Sequence, residues 1–182
     1  MEELIQHIQE TVNRKQVQSL CKKILKKCSF KSKGDLANVS TLAVWLYVYG
    51  YEKEAMDVCD ILLPLEFTGN YDLWGHTDLA LCLKARILRE QGITEGREEL
   101  LNKVNEHRDA ELYQNNLKWY TDTVNRNIES DDAYHPGKII PGWRMEKLRH
   151  AIRYREAGGY PLPDEVLEED IATLKEQLLK VK

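Results

Sequence analysis

The sequence has 182 residues, of which 42% are hydrophobic and 31% are charged, and its net charge at pH 7 is −4. This composition is typical of a folded globular protein and excludes a disordered or collagen-like chain. The longest apolar run, 42–49, has eight residues, far fewer than the roughly 20 of a membrane span. The first residues lack the apolar segment of a secretory signal, so we expect a cytoplasmic protein without a membrane segment.

Charge is distributed unevenly along the chain. Residues 1–33 carry a net charge of +5, residues 34–137 carry −10, and residues 138–182 carry +1. An acidic middle segment attracts cations and repels phosphates. The expected partner is therefore a basic protein or peptide, and nucleic acid is disfavoured.

Apolar residues recur at helical spacing through most of the chain and predict about nine helices. The apolar stripe before Asn13 and the apolar stripe after it lie on different sides of one continuous helix, which predicts a break near Asn13. The remaining helices are predicted from Asp35 to Gly50 and at 52–63, 77–91, 94–107, 109–129, 143–157 and from Asp164 onward. Asp35 and Thr94 are the expected N-caps of two of them. The segments 66–76 and 130–142 are the expected long connections.

A pattern of helix, glycine and second helix occurs twice, 42 residues apart. The aligned positions are Val39, Ala43, Leu46, Gly50, Val58, Cys59 and Leu62 in the first copy and Leu81, Ala85, Leu88, Gly92, Leu100, Leu101 and Val104 in the second. Each glycine is expected to end its helix, and Gly50 is expected to do so with a positive φ. Helical repeats of this size stack and present a surface to a partner.

The first copy, with Ala43, Gly50 and Ala55 at the small positions, resembles a tetratricopeptide repeat. The second copy departs from that pattern at Lys84, where leucine is expected, and at Arg97, where alanine is expected. The resemblance covers about 35–107 and implies stacked helical hairpins that bind protein or peptide.

The predicted fold is therefore a single all-α domain over 1–182. It has N-terminal helices in 1–33, two hairpins in 35–107 and further helices in 109–182.

Aromatic and acidic residues concentrate near the first turn and the loop that follows it. The candidate partner-binding residues are Tyr47, Tyr51, Tyr71, Asp72, Trp74, His76 and Asp78. Aromatic faces beside carboxylates could bind a cationic side chain through cation–π contacts and ion pairing. The alternative interpretation is that these rings fill the hairpin core.

Metal, cofactor and catalytic motifs are weak throughout. His76, Asp78 and Cys82 have metal-ligand chemistry at helical spacing, but no further His or Cys is near them in the sequence, so we expect no metal. None of the four cysteines forms a Cys-x-x-Cys pair, which favours buried free thiols. No cofactor or catalytic residue is predicted.

Two groups of basic residues could form surfaces that bind an anionic partner. Lysines 15, 22, 23 and 26 lie opposite the apolar stripe of the second helix and could follow phosphates, although a solvated outer face explains them as well. Arg144, Lys147, Arg149 and Arg153, with Trp143, predict a second basic surface. That surface could dock against the acidic repeats of the same molecule.

The sequence thus favours a non-catalytic protein-interaction module. A specific form is a bacterial toxin-neutralising, immunity-type protein, because small acidic helical proteins can occlude basic toxin sites. The alternatives are an enzyme whose active site leaves no sequence motif and a nucleic-acid binder that uses the N-terminal lysines.

Overall fold

The computed structural model describes residues 14–28, 30–159 and 162–181, and within these ranges the protein consists of helices and connections without a strand. The all-α class is confirmed. The helix predicted before Asn13 lies outside the described residues. No described helix is both long enough and apolar enough to span a bilayer.

The described part of the chain forms nine α-helices and one π-helical segment. They are α1 (Arg14–Leu25), α2 (Lys33–Val48), α3 (Glu52–Leu62), α4 (Tyr71–Glu90), α5 (Arg97–Glu106), α6 (Ala110–Trp119), the π-helical segment (Tyr120–Val124), α7 (Asn125–Tyr134), α8 (Pro141–Ala157) and α9 (Asp164–Leu179). The helix predicted at 109–129 is thus continuous from α6 to α7 and ends five residues later than expected, at Tyr134.

The chain divides into two compact units, one up to Ile93 and one from Thr94 onward. The sequence predicted one domain over 1–182. The division falls between α4 and α5, the two helices that the sequence analysis paired as the second hairpin. Each of these helices is therefore described with the elements of its own unit.

In the first unit, α2 is the central helix and packs against α3 and α4. Every residue from Leu42 to Val48 is buried, because an apolar run this continuous has no face left for solvent. The helix begins earlier than expected, since the Ser32 hydroxyl, and not Asp35, caps it by accepting a hydrogen bond from the Asp35 amide at 3.1 Å. Gly50 follows with φ of 77°, which confirms the predicted turn, and Gly92 has a matching φ of 71°.

In the second unit, α8 packs against α5, α7, the π-helical segment and α9. The core joins the stripe predicted for 109–129 to α8 and α9; it contains Tyr113, Leu117, Tyr120, Val124, Tyr154 and Leu167. The start of α5 differs from the prediction, because Gly96, with φ of 73°, occupies the N-cap position that we assigned to Thr94.

Candidate functional site

The N-terminal end of α4 holds three of the seven candidate residues. The Asn70 side chain caps this helix by accepting hydrogen bonds from the amides of Asp72 at 3.1 Å and Leu73 at 3.4 Å. The helix therefore begins at Tyr71, and the long loop predicted for 66–76 is wrong over its second half. Because of this cap, Tyr71 and Asp72 are exposed on the first turn, while Trp74 points inward.

A pocket of about 250 Å³ opens beside this first turn. We call it the Trp74 pocket. Its lining residues come from the connection before α2 and the start of α2, the connection after α3 and the start of α4: Phe30, Leu36, Leu65, Glu66, Thr68, Leu73, Trp74 and Thr77. The lining is mostly apolar, so the pocket suits a hydrophobic group.

Aromatic rings extend from the pocket to the surface. Phe67 contacts the Trp74 ring edge-on, with centroids 5.7 Å apart, and the Tyr71 ring with centroids 5.0 Å apart. Trp74 is 6% exposed, whereas Tyr71 is 39% exposed. The three rings thus connect a buried pocket wall to an exposed aromatic face.

The pocket lining also contains a backbone outlier. Phe30 has φ of 54°, and it is the one described non-glycine residue with a positive φ. A bulky side chain in this region is strained, and such strain is concentrated at ligand clamps and binding sites. Its position on the pocket wall makes the pocket a candidate binding site.

The rim carries charges of both signs. The Asp72 carboxylate lies 3.2 Å from the Lys33 ammonium, and both side chains are largely exposed. Glu66 is an exposed acid on the pocket lining. An exposed pair such as Lys33–Asp72 contributes little to stability, so Asp72 can exchange its partner for an incoming cation at low cost.

Tyr47 and Tyr51 lie at the other end of the unit. The Tyr47 hydroxyl donates to Glu90 and accepts from Arg86 Nε, each at 2.8 Å. Glu90 ends α4, 19 residues after Tyr71, and a rise of about 1.5 Å per residue places these ends roughly 28 Å apart. The seven candidates therefore do not form one surface.

Tyr47 instead has a structural position in the core. It is 1% exposed, and burial raises its pKa although the nearby Arg86 guanidinium favours the charged form. The phenol stays protonated and links α2 to α4. This matches the alternative interpretation, in which such rings fill the core.

His76, Asp78 and Cys82 follow the first turn of α4. Asp78 is buried and accepts a long hydrogen bond, 3.5 Å, from the Cys82 thiol, while His76 is half-buried. In the described part of the chain, no three His, Cys, Asp or Glu side chains come together as potential metal ligands. The structure therefore adds no support for a metal at these residues.

The four cysteines are free thiols. Cys21, Cys59 and Cys82 are buried as predicted, and Cys28 is half-buried. Burial raises the pKa of Cys21 to about 11 and that of Cys59 to about 12. Both thiols stay protonated at neutral pH, which makes them poor nucleophiles.

A second cavity, of about 360 Å³, lies between α1 and α3. Cys21, Lys53, Glu54 and Asp57 are among its lining residues. Glu54 is buried and accepts a hydrogen bond from the Gln18 amide at 2.8 Å. This groove contains more ionisable groups than the Trp74 pocket, so a catalytic alternative would belong here.

The two predicted basic surfaces differ in how exposed they are in the structure. Lys22 and Lys23 on α1 and Lys26 directly after it are exposed, which is consistent with a solvated outer face, while the side chain of Lys15 lies outside the described residues. The basic surface predicted on α8 is wrong, because three of its four cations, Arg144, Arg149 and Arg153, are buried and only Lys147 is not. The reason is that α8 is enclosed by neighbouring elements of its unit.

Buried arginines need acidic or aromatic partners. Arg144 Nη2 donates to both carboxylate oxygens of Asp132 at 2.6 and 2.8 Å, and Arg149 Nη1 donates to Glu146 at 3.0 Å. Burial lowers the pKa of Arg149, and the Glu146 carboxylate opposes that shift. These cations stabilise the second unit and are not available to an anionic partner.

The sequence matches a known family along most of its length. Residues 1–178 match the sequence profile of a family of unknown function, DUF6707. The chain belongs to the DUF6707 family. No curated protein and no solved structure matches this DUF6707 chain. Its function must therefore be inferred from the sites described above.

Proposed function

We propose that this DUF6707 chain is a non-catalytic protein-interaction module whose Trp74 pocket binds a bulky apolar side chain of a basic partner. The observation that carries the proposal is the open, mostly apolar pocket whose lining includes Trp74 and the strained Phe30. Partner residues that anchor in such pockets contribute a large share of binding energy.

The size and the lining of the pocket favour this role over catalysis. Its volume of about 250 Å³ is below the roughly 300–1,000 Å³ of typical small-molecule sites. Among the described residues that line it, Glu66 is the single titratable side chain. An acid–base reaction generally needs several such groups converging on one substrate.

Charge supports a basic partner. Glu66 lines the pocket, Asp72 is exposed on the first turn of α4 next to the lining residue Leu73, and residues 34–137 carry a net charge of −10. Long-range attraction from such a segment would raise the association rate of a cationic protein, most strongly at low salt. A toxin-neutralising role is the specific form of this proposal, because it would place an acidic surface over a basic toxin site.

The experiment fills the pocket without removing its walls. Thr68 is exposed and lines the opening, so Thr68→Trp should occupy the space intended for the partner's side chain. Thr173 is exposed on α9 in the other unit, and Thr173→Trp is the matched control. Tagged wild-type and variant chains are incubated with lysate of the native host, and each captured protein is then purified and its Kd measured.

We expect Thr68→Trp to raise the Kd of the partner at least tenfold while the circular dichroism spectrum is unchanged. Thr173→Trp should change neither. Glu66→Lys should slow association and reduce its salt dependence. Equal binding by all variants would refute the pocket as the interface. For a toxin-type partner, growth rescue on co-expression should be lost with Thr68→Trp.

Two other functions remain as outcomes of the same test. Loss of an activity on Asp57→Asn, with no effect of Thr68→Trp, would favour an enzyme that uses the groove between α1 and α3. A salt-dependent shift with RNA or DNA that Lys22→Glu abolishes would favour a nucleic-acid binder.

A further inference from the structure

The second unit has an exposed aromatic surface that the function proposed above does not use. Trp119, the last residue of α6, is 40% exposed. Trp143, in the first turn of α8, is half-buried, and the two indole centroids are 6.2 Å apart with planes inclined at 54°. The pair forms an open corner of two indole rings.

The helix geometry explains why Trp119 faces outward. Tyr113, Leu117, Tyr120 and Val124 form the buried stripe of this segment, and Trp119 lies off that stripe. The chain widens into the π-helical segment directly after Trp119. Single-turn π insertions of this kind are frequent at functional sites.

The inner side of this corner is polar. Trp143, Glu146 and His150 follow at spacings of three and four residues and so share one side of α8. The His150 ring contacts the Trp119 ring edge-on, with centroids 5.9 Å apart, and His150 Nε2 lies 3.7 Å from a Glu146 oxygen. We call these four residues, Trp119, Trp143, Glu146 and His150, the Trp119 patch.

The surface of the second unit is strongly acidic once burial is considered. The described residues from 94 onward include thirteen Lys and Arg and eighteen Asp and Glu. Arg144, Arg149, Arg153 and Glu156 are buried, which leaves ten cationic and seventeen anionic side chains towards solvent. The sequence of these residues already gives a net charge of −5, and burial of the arginines and of Glu156 raises the acidic excess at the surface to −7.

We propose that the Trp119 patch binds an arginine side chain of a basic partner segment. A cation is most strongly attracted to the face of a tryptophan, within about 6 Å of the ring centroid, and the acidic surface raises the local concentration of cations. Arginine fits better than lysine because its planar guanidinium stacks on an indole while its N–H groups reach a carboxylate, here Glu146. The inference does not depend on the Trp74 pocket, which belongs to the other unit.

The test uses a hexaarginine peptide as the probe and the full chain labelled with ¹⁵N. The chain has four tryptophans, and Trp45 and Trp74 are buried in the first unit. We expect the indole N–H signals of Trp119 and Trp143 to shift on titration, those of Trp45 and Trp74 to stay in place, and hexaglutamate to shift none.

Two substitutions separate a cation–π site from a merely apolar one. Trp119→Phe keeps an aromatic face, and Trp119→Leu keeps only apolar area, so affinity should fall in the order Trp, Phe, Leu and by at least fivefold for Leu. Tyr134→Ala is the control, because Tyr134 is 80% exposed in the same unit and is not in the patch.

Three results would overturn the inference. They are unchanged affinity of Trp119→Leu, equal loss with Tyr134→Ala, and a peptide-induced shift confined to Trp74. A change of oligomeric state on Trp119→Leu, measured by sedimentation, would show that a second copy of the chain occupies the patch instead. The indole spectrum of each variant also reports whether the chain is folded, so a misfolded variant is recognised and Trp119→Phe then decides.

Discussion

Replacement of Gly159 by alanine should be unusually destabilising for a glycine outside a helix. Gly159 has φ of 92°, and a Cβ atom there would lie 2.5 Å from Tyr113 Cε1 and 2.8 Å from the Tyr113 hydroxyl oxygen. The Tyr113 ring cannot easily withdraw. It contacts the Tyr154 ring edge-on at 5.4 Å, lies below the Arg108 guanidinium at 4.3 Å, and donates its hydroxyl hydrogen to the Gly158 carbonyl.

Two costs add at this position. A left-handed conformation costs a non-glycine residue about 1–2 kcal/mol, and forcing an atom into a packed site costs about 1–3 kcal/mol. Gly159→Ala should therefore lower the free energy of unfolding by about 2–5 kcal/mol. Gly50→Ala provides the comparison, since Gly50 has φ of 77° and nothing lies within 4 Å of its added Cβ. Gly50→Ala should therefore cost only the about 1–2 kcal/mol of a left-handed backbone conformation.

The measurement is urea unfolding followed by circular dichroism, with separate midpoints if the two units unfold separately. Gly75→Ala is the control, because Gly75 is inside α4 with nothing within 4 Å of an added Cβ, and alanine there should stabilise by up to about 1 kcal/mol. If Gly159→Ala costs no more than Gly50→Ala, the Tyr113 contact is not rigid and the reasoning fails.

Two further predictions concern buried groups. Burial raises the pKa of Cys59 to about 12 from its usual value of 9. The unfolded chain therefore loses the thiol proton first, and the free energy of unfolding should fall as pH rises from about 9 to 12. In thermal melts over this range, Cys59→Ala should lose less stability than the wild-type chain. Asp132→Asn removes the carboxylate that pairs with buried Arg144. Since the Asp132 side chain is 51% exposed, Asp132→Asn should lower the free energy of unfolding by about 1–3 kcal/mol, less than the roughly 3–5 kcal/mol lost when a fully buried pair is broken. Asp122→Asn is the control, because Asp122 is exposed. Equal urea midpoints for the two variants would contradict the prediction.

Much of the fold could be predicted from the sequence. Period and glycine placement located most of the described helices, and the apolar run at 42–49 accounts for the burial of α2. The predicted helix boundaries are wrong where a capping side chain decides where the helix begins. Asn70 starts α4 within the segment predicted as a loop, and Ser32 caps α2 in place of Asp35. Several polar residues near each start can cap a helix, and sequence spacing does not choose among them.

The candidate site was predicted only in part. Residues 71–74 do lie beside a pocket, but Tyr47 is held at the far end of α4 by Glu90 and Arg86. Proximity along the chain does not bring side chains together when a 20-residue helix lies between them. Phe30 and Phe67 were missed because they occupy connections without periodicity. Trp119 left a usable signal, since it is a large aromatic residue outside an otherwise regular apolar stripe.

The π-helical segment also sets the rotation of the helix that follows it. An α-helix turns by about 100° per residue, so one additional residue in the turn at Tyr120–Val124 turns the side chains of α7 by about that angle from where an uninterrupted α-helix would place them. That rotation brings Asp132 to Arg144 across the unit. Loss of one residue from this segment would restore an ordinary α-helix and leave Asp132 facing Arg144, whereas winding all five residues into an α-helix would turn Asp132 away from Arg144. The additional residue is therefore absorbed within one turn, and the contact of α7 with Arg144 depends on the π-helical winding of that turn and not on the length of the helix.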